Sequence, residues 1–437
     1  MKFCIITFGC KVNQCESDNI ALTMVKAGYI NSRESENPEI FIINSCTVTG
    51  ESDRKLRQTF HRIKRNNPGS IVILTGCLPQ ALSKDSNQLV PAEIIIGNSQ
   101  KYLIPEYLDK YFDGGNSKIY DVSPTKFCKK FDNVETNIPT RHARAFLKIE
   151  DGCNRFCSYC IIPYARGSVR SKPLTSIKND AEKLSKAGYR EIVVVGINLF
   201  SYGMDINCSV ADAIEVIANV PGIERIRLGS LEPDLISDNL ILRLSKIDKL
   251  CPQFHLSLQS GSNKILKSMR RRYTRDEYID VVKKLRNKFP SATFTTDLMV
   301  GFAGETEEDF EDSLKLIEEV KFLKVHVFPY SRRPGTLADK FPNQVDKKTK
   351  SLRVKKAIEI SENTSKVVLN NFIGKRFNVL YESRGKDGRY EGYTENYIYV
   401  KSEFDQDIRG KILNTEIVSL ENGFCSGVIK NLKKIYY

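Results

Sequence analysis

Three cysteines, Cys153, Cys157 and Cys160, are spaced C-x3-C-x2-C and directly follow an apolar run, Ala145 to Ile149, that reads as a strand. Thiolates this close together on one loop can share a metal centre. Three ligands are one short of a closed tetrahedral site, so a coordination position is left for another group. The same spacing also fits a zinc knuckle whose fourth ligand lies elsewhere. Three further cysteines each end a strand-like run: Gly9-Cys10, Ser45-Cys46 and Gly76-Cys77. If those runs lie parallel in one sheet, their C-terminal ends share an edge, and thiols far apart in sequence meet there. Cys4, inside the first run, and Cys425, near the C-terminus, read as buried apolar residues. Cys15 and Cys128 receive no role.

The elements that must hold these thiols alternate regularly. Residues 1–122 carry strand-like runs at Phe3–Phe8, Glu39–Ile43, Ser70–Leu74 and Glu93–Ile96, with helical patterns between them. Such alternation predicts an open parallel-sheet α/β domain. Residues 123–140, with Pro124 and Pro139 among mixed charges, read as a linker. Residues 141–345 hold six strand-like runs, at Ala145–Ile149, Glu191–Val195, Arg225–Leu228, Phe254–Leu258, Thr293–Val300 and Lys324–Pro329. With helical patterns between, they predict a partial TIM-like (β/α)6 barrel, whose active groups belong at the C-terminal ends of its strands. The cysteine triplet obeys that rule. Asn198, Ser230, Glu232, Gln259 and Asp297 are other polar residues at strand ends. Residues 346–371 read as a lysine-rich helical connector. Residues 372–437, with short β-rich runs broken by Gly385, Gly388, Gly392 and Gly410, predict a small β-barrel. Its Tyr390, Tyr393, Tyr397 and Tyr399 are candidates to stack on bases.

Composition narrows the class. The 437 residues suffice for two or three domains. A net charge of +14 suggests a polyanionic partner such as nucleic acid. Twelve cysteines in a reducing compartment point to ligands or buried thiols rather than disulfides, and four histidines weaken a zinc-hydrolase reading. No apolar stretch is long enough to span a bilayer, so no membrane partner is expected. Met1-Lys-Phe-Cys-Ile-Ile enters a strand at once, without a signal-peptide pattern, and the expected location is cytoplasmic.

The cysteine triplet, with Tyr159 just before its last member, resembles the signature of the radical S-adenosylmethionine (SAM) enzymes. The order of pieces resembles the methylthiotransferases within them: a cluster domain, a radical-SAM barrel, and a TRAM-like RNA-binding β-barrel. Flanking text agrees, as in Ser257-Leu-Gln-Ser-Gly261, Asp297-Leu-Met-Val-Gly-Phe302 and Phe328-Pro-Tyr-Ser331. The resemblance implies SAM and two 4Fe-4S clusters as cofactors, one cluster on Cys153, Cys157 and Cys160 and an auxiliary one on Cys10, Cys46 and Cys77. It implies Tyr159 near the SAM adenine; the strand-end residues Asn198, Ser230, Glu232 and Gln259 are further candidates to contact SAM or substrate. Gly9-Cys-Lys-Val-Asn-Gln14, then Glu16-Ser17, resembles the branch acting on N6-threonylcarbamoyladenosine at position 37 of tRNA. Two departures from that pattern are Cys15, where tyrosine is common, and Ala303, where proline is common. The product would be the 2-methylthio base. Isopentenyladenosine tRNA or a ribosomal protein is the alternative substrate, and a zinc-containing RNA-binding protein the non-enzymatic alternative. The implied partners are the tRNA anticodon loop, an electron donor such as flavodoxin or ferredoxin, and a sulfur source. Lys267, Arg270, Arg271, Arg272 and Arg275 form a basic cluster suited to phosphates. A threonyl carboxylate favours an arginine clamp, for which Arg332 and Arg333, after the last barrel strand, are the candidates.

Overall fold

The computed structural model describes residues 1–82, 90–125, 130–132, 134, 136 and 143–430; Cys128, Pro139 and part of the expected linker lie outside them. Near the N-terminus six strands form one parallel sheet: β1 (Lys2–Thr7), β2 (Ile30–Asn31), β3 (Ile40–Ser45), β4 (Ile71–Gly76), β5 (Ile94–Ile96) and β6 (Ile119–Asp121). Their order is β2-β1-β3-β4-β5-β6, so β1, β3 and β4 are neighbours. Both faces of β3 are buried, which explains its unbroken apolar run. Ile40 and Ile42 pack beneath the helices Lys11–Lys26 and Ile104–Asp113, while Phe41 and Ile43 pack beneath Gly50–Asn66. The short edge strands β2 and β6 had too little apolar pattern to be read from sequence.

The second unit is a partial parallel barrel of two sheets. One is β11-β10-β7, from β7 (Ala145–Lys148), β10 (Glu191–Val195) and β11 (Arg225–Leu228). The other is β12-β13-β14-β15, from β12 (Ser230–Leu231), β13 (Gln253–Leu256), β14 (Thr293–Val300) and β15 (Lys324–Pro329). A small antiparallel pair, β8 (Glu150–Asp151) and β9 (Arg170–Ser171), follows the first strand. Side chains alternate across these strands. Ile192, Val194, Ile226, Phe254, Leu256 and Phe294 face the helices, in one large core. Glu191, Arg227, His255, Asp297 and His326, on the alternate positions, face the lumen. The helix Lys11–Lys26 of the first unit closes the lumen's open side, where Val12 packs against Phe146, Val193, Val195 and Ile197.

The helix Lys347–Asn370, capped by Asp346, leads to a closed five-stranded barrel, β16-β17-β18-β20-β19, from β16 (Arg376–Arg384), β17 (Tyr390–Thr394), β18 (Tyr399–Ser402), β19 (Ile412–Glu421) and β20 (Phe424–Ile429). Cys425 and Tyr390 lie in its core. Tyr393 and Tyr397 stack on each other, with centroids 4.6 Å apart, rather than offering free faces to bases. Arg144 lies 5.1 Å from the Tyr393 ring and Arg227 lies 5.0 Å from the Tyr397 ring. Arg227 also donates to the carbonyls of Thr394 and Glu395, at 3.1 and 3.0 Å. The terminal barrel thus forms the floor of the lumen, at the N-terminal ends of the large barrel's strands. Among the described residues no helix is long and apolar enough to cross a membrane.

Candidate active site

Cys10, Cys46 and Cys77 emerge side by side because β1, β3 and β4 are adjacent and parallel. Gly9 makes the approach possible: it has φ +101°, and a Cβ there would stand 2.7 Å from Cys46 Cβ and 3.0 Å from its Sγ. Asn13 ties the loops of Cys10 and Cys46 together. Its Nδ2 donates to the carbonyls of Phe8 and Ser45, at 2.9 and 3.1 Å, and the Cys10 thiol lies 3.9 Å from its Oδ1. Arg166, from the barrel unit, donates to the same Oδ1 and, through Nε, to Cys77 Sγ at 3.3 Å. Burial pushes the Cys46 thiol up to about 12 and raises Cys77 as well; Arg166 is the largest opposing influence on Cys77. Thiolates here require a strongly cationic partner.

The triplet sits on a loop that is held tightly. Cys153 N–H donates to Gly167 O at 3.0 Å, and Cys160 N–H to Cys157 O at 3.0 Å. Arg271 reaches within 3.6 Å of Cys157 Sγ and grips Glu232 with two bonds of 3.1 and 2.5 Å. The Asn198 amide nitrogen lies 3.9 Å from Cys153 Sγ, and the Asn198 backbone N–H donates to Glu150 Oε2 at 2.7 Å. Burial raises the Glu150 carboxyl to about 8. Asn198 Oδ1 and Glu150 Oε1 are buried without hydrogen-bond partners among the described residues, as expected of a pocket that takes a polar ligand. Tyr159 packs edge-on against Phe302 at 6.5 Å, with Arg271, Cys157, Cys160 and Glu232 nearby. Gln259 adopts φ +69° and bonds through its backbone to Asp297 and Met299. Ser230 is exposed on β12.

Both arginines expected to clamp a carboxylate already have partners. Arg333 is nearly buried and spends its guanidinium on Thr47 and Asp53 of the first unit. Arg332 lies on the surface and pairs with Asp339 at 2.9 Å. The basic cluster also divides: Arg271 turns inward to Glu232 and Arg275 pairs with Glu319, while Lys267, Arg270 and Arg272 remain exposed.

Two groupings were not apparent from sequence. Where the first unit meets the barrel, Glu16 Oε1 is approached by Lys101, Lys148 and Arg166, at 2.6, 2.6 and 2.5 Å. Asp151 joins them, 2.7 Å from Lys148, and these cations hold the Glu16 carboxyl well below the usual range. In the lumen, His255 bridges Thr295 and Asp297, at 3.0 and 3.2 Å, with its ring 5.9 Å from that of His326. Lys11, directly after Cys10, is solvent-accessible, yet its neighbours are the lumen groups Glu191, Arg227, Tyr397, Arg144 and His326. Lys11 forms no hydrogen bond or ion pair among the described residues. Its position after Cys10 was the signal that could have found it.

Two family models match the chain: the Radical SAM superfamily over residues 147–317, and an uncharacterised protein family, UPF0004, over residues 2–97. The threonylcarbamoyladenosine tRNA methylthiotransferase MtaB of Bacillus subtilis is 36% identical over 418 residues, covering 94% of this chain and 92% of its own. The MtaB of Thermotoga maritima is 37% identical, covering 97% and 96%. A tRNA-2-methylthio-N(6)-dimethylallyladenosine synthase of Clostridium botulinum is 36% identical, covering 98% and 96%.

The chain belongs to the radical-SAM methylthiotransferase family.

Among solved structures, the radical SAM methyltransferase TsrM from Kitasatospora setae shares the fold, with a TM-score of 0.57 at 12% identity over 75% of this chain and 72% of its own. The cofactors of this methylthiotransferase are SAM and two 4Fe-4S clusters. Two groups of thiols, each at the C-terminal edge of a parallel sheet, suit that requirement. Among the described residues no three His, Cys, Asp or Glu side chains converge closely enough to share one metal ion. A cubane offers each thiolate its own iron, so its ligands stand further apart than those of a single zinc.

Proposed function

We propose that this methylthiotransferase converts N6-threonylcarbamoyladenosine at position 37 of tRNA to its 2-methylthio derivative, as a cytoplasmic enzyme. Cys153, Cys157 and Cys160 hold the cluster that binds SAM, and Cys10, Cys46 and Cys77 hold the second. When bound, SAM and the clusters supply one-electron cleavage of SAM, the transferred sulfur and the methyl group, which together replace the C2 hydrogen. The chain's own residues bind and orient. Asn198 and Glu150 offer buried polar atoms beside Cys153 to SAM, Glu232 is kept in place by Arg271, and Tyr159 flanks the adenine. Gln259 and Ser230 are further SAM contacts. The apolar contact of Val12 with Phe146, Val193 and Val195 seals the lumen's side from bulk water. The tRNA backbone meets the basic surface and presents a splayed base. An electron donor such as flavodoxin or ferredoxin, and a sulfur source, complete turnover.

Lys11 carries the choice of base. It is an amine without an ion-pair partner among the described residues, next to Cys10 and near the lumen groups Glu191 and Arg227. A threonyl carboxylate satisfies it; a dimethylallyl group leaves it unpaired, which costs binding. The dimethylallyl reading is kept alive by the Clostridium relatives. Purified enzyme with SAM and a reductant, offered the two tRNAs in competition, tests the proposal by mass spectrometry of the nucleosides. Strong preference for the threonylcarbamoyl tRNA is expected. Equal or reversed preference rejects it.

A further inference from the structure

Arg166 belongs to the barrel unit, six residues after Cys160, but its buried guanidinium reaches the other unit's thiol site while also lying 3.4 Å from Asp151 of its own unit. Its Nε points at Cys77 Sγ, and its two terminal nitrogens bond Glu16 and Asn13, the residue that braces the loops of Cys10 and Cys46. The following residue, Gly167, accepts the Cys153 N–H. One short segment therefore contacts the Cys77 sulfur and the backbone of the Cys153 loop. Among the described residues, Glu16 and Asp151 are the carboxylates that pair with Lys101, Lys148, Arg166 and Arg170. Cys77 sulfur is the acceptor that Arg166 addresses next.

We propose that Arg166 is a positioning residue for the second cluster, holding the Cys77 sulfur and raising that cluster's reduction potential through its N–H···S bond. The reduced cluster carries one more negative charge, so a cationic donor on a ligating sulfur favours it. The proposal rests on the assignment of that cluster to Cys10, Cys46 and Cys77, and is independent of which base the enzyme modifies.

The test uses the full-length Cys153→Ala/Cys157→Ala/Cys160→Ala enzyme, in which the second cluster remains. Its midpoint potential is measured by EPR-monitored redox titration with Arg166 intact, with Arg166→Lys and with Arg166→Met. A lower potential is expected for lysine, and a still lower one for methionine. Arg166→Lys keeps a positive charge beside Glu16 and serves as the deciding variant if Arg166→Met does not fold. An unchanged potential in Arg166→Lys overturns the proposal. Iron analysis of Cys77→Ala, in the same background, examines the ligand assignment separately: full iron there would remove the assignment itself.

Discussion

Arg333 and Asp53 form a two-point ion pair, 2.8 and 3.0 Å, between the loop after β15 and the helix that follows Cys46 in the first unit. Arg333 also donates to the carbonyl and hydroxyl of Thr47, one residue from Cys46. The pair fastens one edge of the first unit over the mouth of the barrel.

Arg333→Met should therefore act on docking and not on substrate choice. Leaving Asp53 without its cationic partner at a largely buried site, with only the Thr47 hydroxyl still donating to it, costs about 2–4 kcal/mol. Arg332→Met, losing a pair whose arginine is 57% exposed, should change stability by less than about 1 kcal/mol. Thermal melting of both variants checks this, with tRNA competition run alongside. A changed preference between the two tRNAs in Arg333→Met would contradict this reading.

Lys11→Met should lower turnover of the threonylcarbamoyl tRNA by about 10- to 100-fold, the worth of one charge-assisted hydrogen bond. Turnover of a dimethylallyl tRNA and SAM cleavage should not fall. Iron content is measured in parallel, because Lys11 adjoins Cys10. Equal loss on both RNAs would point to a phosphate contact, whose salt dependence would soften in the variant.

The two groups of thiols should be separable. Replacing Cys153, Cys157 and Cys160 with alanine should reduce iron from about eight to about four per chain and abolish SAM cleavage. Replacing Cys10, Cys46 and Cys77 should leave about four irons and SAM cleavage, but no methylthio product. Methylthiolation by the second triple variant would end the assignment.

Removing residues 372–437 should damage the large barrel as well as RNA binding. Arg227 is buried and would lose the carbonyls of Thr394 and Glu395 and the Tyr397 ring, while keeping Glu191. The truncated enzyme should melt at lower temperature and lose SAM cleavage in step. Wild-type melting in the truncated enzyme would show that the floor is dispensable.

Glu150 gives a pH dependence. Burial raises its carboxyl from 4.5 to about 8, with Asp151 adding to the rise and Lys148 opposing it. A raised pKa means that the folded state holds the proton more tightly. The associated stability is complete below about 4.5 and is lost as pH rises through 8. Glu150→Gln cannot ionise, so its stability should fall less than the wild type's between those limits, by on the order of a few kcal/mol. Urea unfolding of cluster-free protein at pH 5 and pH 8.5 measures the difference, and parallel curves would refute it.

The alternation of strands and helices, the closed terminal barrel and the cysteine positions were legible because each depends on local spacing. A cysteine ending a parallel strand has its edge decided by chain direction, and a C-x3-C-x2-C loop has its thiols brought together by covalent geometry. The partners of Arg166, Arg227 and Arg333 and the placement of Lys11 were not legible. Arg166 meets Glu16 across 150 residues of sequence, and Arg333 meets Asp53 across 280. Arg227 meets Glu395 across 168. Such pairs exist only because the first unit docks against the barrel's open side and the terminal barrel against its floor. A sequence pattern reveals which face of an element is apolar, but many cations compete for each carboxylate until packing removes water from all but one arrangement. The positions of the two cysteine groups were therefore determined by the sequence. Which charged groups lie beside them was decided by tertiary structure, because those groups meet only when the units dock.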